Sequence, residues 1–467
     1  MRVLLTGATG LIGREVGKLL VANGHEVRVL SRDPRRASRD LPFPATSFAW
    51  DSETETFPSE ALEGIEGVIH LAGEPIAEGR WTEEKKRKIR DSRVQGTRRL
   101  VQALLSRKEA DGRTDLRAFV SGSAIGYYGD RDDETLTEAS AKGEGFLADL
   151  VAEWEAQPDL LKAALGPAVR VAKIRTGVVF TRRGGALAKM LPVFTRGVGG
   201  KLASGQQWMS WIHIEDIARL FVFCLENPGA EGVFNGTAPE PARNDRFTVA
   251  LSRAVGRPVF LPVPETALKL ALGEMASALL GSQRVVPQRA QELGFEFRFP
   301  ELVPALEDLG GPLKDGQHEL VAEQWVPKSP EEVFPYFCNE RNLEELTPPF
   351  LSFKVMGKST DAIEEGTLID YKLKLHGVPF SWRTKIEAWQ PVKKFVDTQL
   401  KGPYRKWHHT HEFQPLGGGT LLRDRVLFKL PLGILGDTLG GWKVHKDVQQ
   451  IFSFRRQKIR ELFGAQP

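Results

Sequence analysis

The chain has 467 residues, 41% hydrophobic and 27% charged, with a formal net charge of +4. That composition excludes a disordered or fibrous protein, and at roughly 150 residues per domain the length predicts two or three domains. The only two cysteines, Cys224 and Cys338, lie far apart, which excludes a disulfide framework and a cysteine-type zinc site and fits a reducing compartment.

Met1-Arg2-Val3-Leu4-Leu5-Thr6-Gly7 opens the chain without an apolar leader, and no run reaches the roughly 18 apolar residues of a membrane span. A cytoplasmic protein with no transmembrane segment is expected. Short β-branched runs at Arg2–Thr6, Glu26–Ser31, Val68–Ala72, Arg117–Ser121 and Val169–Thr176 alternate with helical patterns at Leu11–Ala22, Glu83–Leu105 and Phe146–Leu165. This alternation predicts an α/β, doubly wound parallel sheet over residues 1–241, whose ligands bind beyond the carboxyl ends of the strands. Residues 242–308 read as a helical extension broken by prolines, and 309–317, rich in glycine, as a linker. From 318 to 467 the pattern changes to strand, two short helices, six strands and one long helix. That order predicts a curved antiparallel sheet wrapped on the long helix. The helix, about Leu435 to Phe463, carries an apolar stripe at Leu435, Leu439, Trp442, Val448, Phe452, Ile459 and Leu462.

The first strand ends in Thr6-Gly7-Ala8-Thr9-Gly10-Leu11-Ile12-Gly13, directly before a helix. Glycines 7, 10 and 13 suit a tight turn, close backbone approach to a pyrophosphate, and close helix–strand packing. The helix start adds unpaired N–H groups and a positive dipole end. At the end of the second strand stand Ser31 and Arg32, with Arg35 and Arg36 behind and no carboxylate at the strand end. A guanidinium clamps a 2′-phosphate, so NADP(H) is the expected cofactor.

TGATGLIG, HLAG at 70–73, SGSAIGYYG at 121–129 and WIHIEDIA at 211–218 together resemble the extended and atypical short-chain dehydrogenase/reductases. GEPI at 73–76, SRVQGT at 92–97, RTGVVF at 175–180 and QQWMSWIHIED at 206–216 narrow the resemblance to an epimerase-like family, loosely described elsewhere as sugar-nucleotide epimerases or cell-division inhibitors. The resemblance covers about residues 1–308. It implies that Gly7, Thr9, Gly10, Leu11, Ile12 and Gly13 border the pyrophosphate and that Ser31 and Arg32 hold the adenosine phosphate. His70, Leu71, Ala72 and Gly73 would run beside the nicotinamide ribose, with Glu74 and Arg80 reaching in from the loop beyond.

An active member of that class pairs a tyrosine with a lysine four residues on. No such pair exists in this chain, where Phe146 and Leu150 take those places. Ser123 keeps the hydroxyl position, and Tyr127 and Tyr128 follow it, either as replacement phenols or as packing rings. Arg175 is a candidate for the cofactor side, and it or Arg131 for the missing cation. Trp208 and Trp211 suit either a ligand-covering rim or a packed junction, and His213 reads as a structural hydrogen-bonder.

Residues 318–464 resemble, in element order and in fragments such as Trp407-His408-His409-Thr410-His411, a START-like helix-grip domain. The resemblance implies a cavity for a lipid or other hydrophobic ligand, which Phe380, Trp382, Trp389, Trp407, Phe413 and Trp442 would line or fill. His409 and His411 share a strand face, but with no acidic partner evident no metal is expected. The apolar segment 430–435 reads as a lid, a membrane-touching tip or a buried turn.

Two functions follow. One is an NADP(H)-dependent oxidoreductase or epimerase-like enzyme for a small organic substrate, carrying a hydrophobic-ligand domain. The other is a catalytically inactive NADP(H)-binding regulator, cell-division-related or otherwise, that couples cofactor state to lipid or partner binding. No basic stripe supports nucleic-acid binding.

Overall fold

The computed structural model describes residues 1–53, 57–259, 262–375, 377–431 and 434–464, the last helix with its side chains from 441 onward. Residues 432–433 of the apolar 430–435 segment, and the side chains of Leu435 and Leu439, lie outside the described residues. The chain divides into two compact units, Met1–Ala37 with Ala45–Gly311, and Pro312–Pro467 with Ser38–Pro44.

The first unit is built on a parallel sheet of, among the described residues, seven strands: β1 (Arg2–Thr6), β2 (Glu26–Ser31), β3 (Thr46–Ala49), β4 (Gly67–His70), β5 (Ala118–Ala124), β6 (Arg170–Thr176) and β7 (Gly232–Gly236). Their spatial order is β7-β6-β5-β4-β1-β2-β3. Strand order reverses at β1, the point where doubly wound sheets open a ligand crevice. Val3, Leu4, Leu5, Val68, Ile69, Phe119 and Val120 are fully buried, as expected when helices cover both faces of a parallel sheet. Among those helices are α1 (Leu11–Ala22), α2 (Glu83–Asp111), α3 (Phe146–Leu165) and α4 (Ile214–Glu226). β3 and β7 escaped the sequence reading because one is only four residues long and the other is flanked by glycines that read as turns. The glycine-rich segment 309–317 is not an open linker throughout. Leu309 and Gly310 complete a helix, Leu302–Gly310, and Gly311–Gly316 form two short turns kinked at Lys314 and Asp315.

The second unit holds an antiparallel sheet of seven strands among the described residues: β8 (His318–Val326), β9 (Lys354–Lys358), β10 (Leu368–Leu375), β11 (Val378–Gln390), β12 (Lys394–Lys401), β13 (Lys406–Leu416) and β14 (Gly419–Lys429). Their order is β8-β14-β13-β12-β11-β10-β9. α5 (Pro330–Phe337) starts with a capping box, Ser329 receiving the Glu332 N–H while Glu332 receives that of Ser329. The closing helix, α6 (Ile434–Phe463), buries Val448, Phe452, Arg455 and Ile459 at spacings of four, three and four. Trp442 is 69% exposed and leaves the expected stripe. It precedes Val448 by six residues, which puts it well round the helix from that face.

Candidate functional site

The turn after β1 excludes a side chain at Gly7 and Gly13 and crowds one at Gly10. Gly7 has φ +69°, and a Cβ there would lie 2.7 Å from the Leu71 carbonyl carbon and oxygen. A Cβ on Gly13 would lie 2.2 Å from the Gly7 oxygen, and one on Gly10 3.1 Å from it. The Gly10 N–H donates to Gly7 O at 2.9 Å and closes the turn. α1 then begins at Leu11 with no side-chain cap and no acidic residue in its first turn. The first-turn N–H groups of Leu11, Ile12 and Gly13 are therefore a ready anion site, and Thr9 and Gly10 stand exposed beside it.

At the end of β2, Asp33 is a helix cap: its carboxylate accepts the Arg36 N–H at 2.9 Å and its carbonyl accepts the Ala37 N–H. Ser31 Oγ accepts the Asp33 N–H at 3.2 Å. This ties the Asp33 carboxylate to the start of the next helix and leaves Arg32 and Arg35 exposed at the strand end.

The loop after β4 is fastened from both sides. Thr6 Oγ1 accepts the N–H groups of Leu71 and Ala72, each at 3.1 Å, and meets His70 Nδ1 at 2.7 Å. With both lone pairs of Thr6 engaged, its hydroxyl proton goes to Nδ1. His70 is then neutral and protonated at Nε2, which donates to Thr97 Oγ1 at 3.0 Å. From the other side Ser92 Oγ accepts the Glu74 N–H, Arg93 donates to Glu74 O at 2.9 Å, and Lys85 pairs with the Glu74 carboxylate at 2.7 Å. Arg93 is buried against Gly73, where an added Cβ would stand 3.2 Å from its guanidinium carbon. Sequence reasoning missed Arg93, Thr97 and Thr6, although an arginine inside the SRVQGT stretch was a visible sign. Arg80 donates instead to the carbonyls of Leu270 and Ala271, so it is held by the helical extension.

Burial pushes the His70 imidazole down to about 4. The unfolded chain takes up a proton near pH 6.5 and the folded chain does not. Stability conferred by neutral His70 is therefore complete above about pH 6.5 and is lost as pH falls toward 4, by about 3 kcal/mol. Denaturant titrations of the first unit at pH 7 and pH 4.5 check this. In His70→Gln the difference between the two pH values should shrink.

Beyond β5 a buried network occupies the expected catalytic position. Ser123 Oγ donates to Glu155 Oε1 at 2.6 Å, and Arg175 grips both oxygens of Glu155 at 2.8 and 2.7 Å. Arg175 Nη1 also donates to the Tyr128 hydroxyl at 3.0 Å, which donates to Asn235 Oδ1 at 2.7 Å. Burial raises the Tyr128 phenol. With no exposed surface and its oxygen engaged twice, Tyr128 packs rather than faces a ligand. Tyr127 is half-buried, with the Arg175 guanidinium carbon 3.4 Å from its ring centroid. Arg175, expected at the cofactor or as a replacement cation, is engaged by Glu155 and Tyr128 beneath the tyrosines. Arg131 is paired with Glu134. In place of the tyrosine–lysine pair, Phe146 packs against Trp81 and Leu150 is buried. Glu155 and Asn235, 32 and 107 residues from their partners Ser123 and Tyr128, gave no local signal.

Trp211 is core, stacked on Phe180. Trp208 lines an open groove, with the guanidinium carbons of Arg243 and Arg284 4.6 and 4.8 Å from its ring centroid. His213 caps α4 by accepting the Glu215 N–H, the structural role expected of it.

In the second unit, β10 to β13 and α6 line a mainly apolar, partly open cavity of about 190 Å³. Trp382, Trp389 and Trp407 line it, while Phe413 packs in the core beside Phe334 and Phe395. Phe380 is half-buried. The histidine pair does have acidic neighbours. Asp397 stands opposite His409 across β12–β13, and Asp424 opposite His411 across β13–β14.

The NAD dependent epimerase/dehydratase family matches residues 3–235, and a domain of unknown function, DUF1731, matches 263–309. The chain is 43% identical to the chloroplastic epimerase family protein SDR39U1 homolog of Arabidopsis thaliana, over 66% of this chain and 86% of that protein. It is 36% identical to the epimerase family protein YfhF of Bacillus subtilis, over 66% of this chain and 98% of YfhF. The crystal structure of human epimerase family protein SDR39U1 with NADPH superposes with a TM-score of 0.58 at 34% identity, covering 66% of this chain and 99% of that one. With its parallel sheet, glycine turn and these relatives together, the chain belongs to the NAD dependent epimerase/dehydratase family.

Proposed function

We propose that the first unit is an NADP(H)-dependent oxidoreductase of the short-chain dehydrogenase/reductase type, acting on a small organic substrate. The observation that carries it is the strand end at 31–36: Asp33 is turned into a helix cap and Arg32 stands free beside the glycine cradle. The cradle fits a dinucleotide, because side chains are excluded at Gly7 and Gly13 and the α1 N–H groups are open. Those N–H groups would hold the pyrophosphate, and Ser31 with Arg32 the 2′-phosphate. The loop Leu71–Glu74 would border the nicotinamide ribose. The human relative's NADPH agrees with this choice.

The bound cofactor would supply or accept hydride. Ser123 would handle the matching proton. Its hydroxyl hydrogen already points at Glu155, so its oxygen is free to accept from a substrate alcohol and pass a proton to that carboxylate, or to run the reverse. Tyr127 would face the substrate from the same loop. In the second unit the sheet, long helix and cavity support a START-like fold holding a mostly apolar ligand. A cytoplasmic location agrees with the free thiols of Cys224 and Cys338 and with there being no helix, among the described residues, long and apolar enough to cross a membrane.

The test is consumption of NADPH, followed by absorbance, against a panel of aldehydes, ketones and sugar nucleotides. Ser123→Ala should lower kcat about 100-fold or more on any substrate found. The loss of the tyrosine–lysine pair to Phe146 and Leu150 favours the second reading, an NADP(H)-binding regulator. Stoichiometric NADPH binding with no turnover across the panel would establish that reading in place of the first.

A further inference from the structure

The floor of the second unit's cavity is polar. Asp397, His409, His411 and Arg455 line it, and Asp424 lies directly behind. His409 Nε2 lies 3.1 Å, and His411 Nδ1 2.9 Å, from the same oxygen, Asp424 Oδ1. The other ring nitrogens, His409 Nδ1 and His411 Nε2, face Asp397 Oδ2 at 3.5 and 3.0 Å. Arg455 holds Asp424, with Nε 3.3 Å from Oδ2, and its Nη2 stands 3.2 Å from His411 Nδ1.

A neutral imidazole carries one proton. His409 carries its ring proton on Nε2, facing Asp424, and leaves its Nδ1 lone pair on the Asp397 side; the Arg455 guanidinium donates to His411 Nδ1, so the His411 proton sits on Nε2, facing Asp397. A divalent ion would take the place of the single His411 Nε2 proton, which the ring would carry instead on Nδ1, 2.9 Å from Asp424 Oδ1, and would meet the Asp397 oxygen and the two ring nitrogens that face it. Ligand atoms around a tetrahedral zinc ion, each about 2.0–2.2 Å from the metal, lie about 3.3–3.5 Å apart. One Asp397 distance, 3.5 Å, matches that spacing and the other, 3.0 Å, is shorter, and the three ligand atoms all fall within 4.8 Å of one another.

We propose that Asp397, His409 and His411 form a binding site for a divalent transition metal such as zinc, with its fourth position open to the cavity. Asp424 is the orienting carboxylate behind both imidazoles, the usual second partner of a metal-bound histidine, and Arg455 fixes Asp424. Two carboxylates and one guanidinium carry net −1, so a divalent ion brings the floor to +1. The open position then favours an anionic or readily ionised oxygen. The cavity's ligand is accordingly a mostly apolar molecule with one carboxylate, enolate or phenolate end.

The test uses the full chain stripped with chelator and titrated with Co²⁺, then Zn²⁺. One equivalent of Co²⁺ should bind with the intense visible bands of a tetrahedral site, and Zn²⁺ should bleach them. His411→Gln and Asp397→Asn, each checked for folding by circular dichroism, should lose the bands. Asp424→Asn should weaken binding about 10- to 100-fold. His445→Gln, which breaks the separate His318–His445 contact, should change nothing. X-ray absorption at the zinc edge of the wild type should count two imidazoles and one carboxylate, a readout that does not depend on a variant folding. The proposal fails if the stripped wild type binds no equivalent, if folded His411→Gln and Asp397→Asn bind as the wild type does, or if only His445→Gln loses the metal. It also fails if the wild type holds an imidazolium ion between the two aspartates, detected by NMR, and excludes zinc.

Discussion

Arg175→Met is expected to destabilise the first unit by about 3–5 kcal/mol, the cost of breaking a buried ion pair from one side. Glu155 keeps its charge in that variant, buried with only Ser123 and no cation beside it. Tyr128 loses the donor to its oxygen, and the Tyr127 ring loses the guanidinium on its face. The loss is larger than for a surface pair because both partners are nearly inaccessible, at 4% and 8% side-chain exposure. The double variant Arg175→Met with Glu155→Leu removes both charges together and should recover much of the stability, while losing the proton acceptor of Ser123. Denaturant midpoints of the single and double variants check this. A single-variant loss below about 1 kcal/mol would place the pair among weak surface interactions and remove its role as the anchor of the site.

Gly13→Ala should abolish cofactor binding, with an affinity loss of at least about 100-fold, and lower stability by about 1–3 kcal/mol through overpacking. The new methyl would stand 2.2 Å from Gly7 O and 2.8 Å from Ala8 Cα. Both are backbone atoms of the turn, so relief requires opening the turn that presents the α1 N–H groups. Gly311→Ala is the matched control. Its φ is −54°, nothing lies within 4 Å of an added Cβ, and a helical alanine there should be neutral or stabilising by up to about 1 kcal/mol. Calorimetric titration with NADPH and a denaturant series separate the two effects.

Elements whose signal is local are legible in the sequence. Arg2–Thr6, Leu11–Ala22, Glu26–Ser31 and Phe146–Leu165 were read with the bounds the structure has, because each is a run of one periodicity ended by glycine or a polar residue. The glycine turn was equally legible, since the chemistry of phosphate binding shows in the residues themselves. The Ser123 network was not, because it joins β5, α3, β6 and β7 through side chains that no short-range pattern links. The cavity floor had a sign that passed unread. Asp424 interrupts the inward series Leu422, Val426 and Phe428 on β14, and Arg455 interrupts Val448, Phe452 and Ile459 on α6. A charge at a core position of either period marks a buried partner. Which partner it marks depends on the register of β12 to β14, set by the fold as a whole.

The proposed NADP(H) preference of the first unit depends on Arg32 reading the 2′-phosphate. The most direct measurement is calorimetric titration of the wild type and Arg32→Ala with NADPH and, separately, with NADH. The wild type should prefer NADPH. Loss of the charged clamp should cost NADPH about 1.5–3 kcal/mol, roughly ten- to hundredfold in affinity, and leave NADH unchanged. Equal affinity of the wild type for the two nucleotides, or an Arg32→Ala variant that keeps its preference for NADPH, would contradict the account.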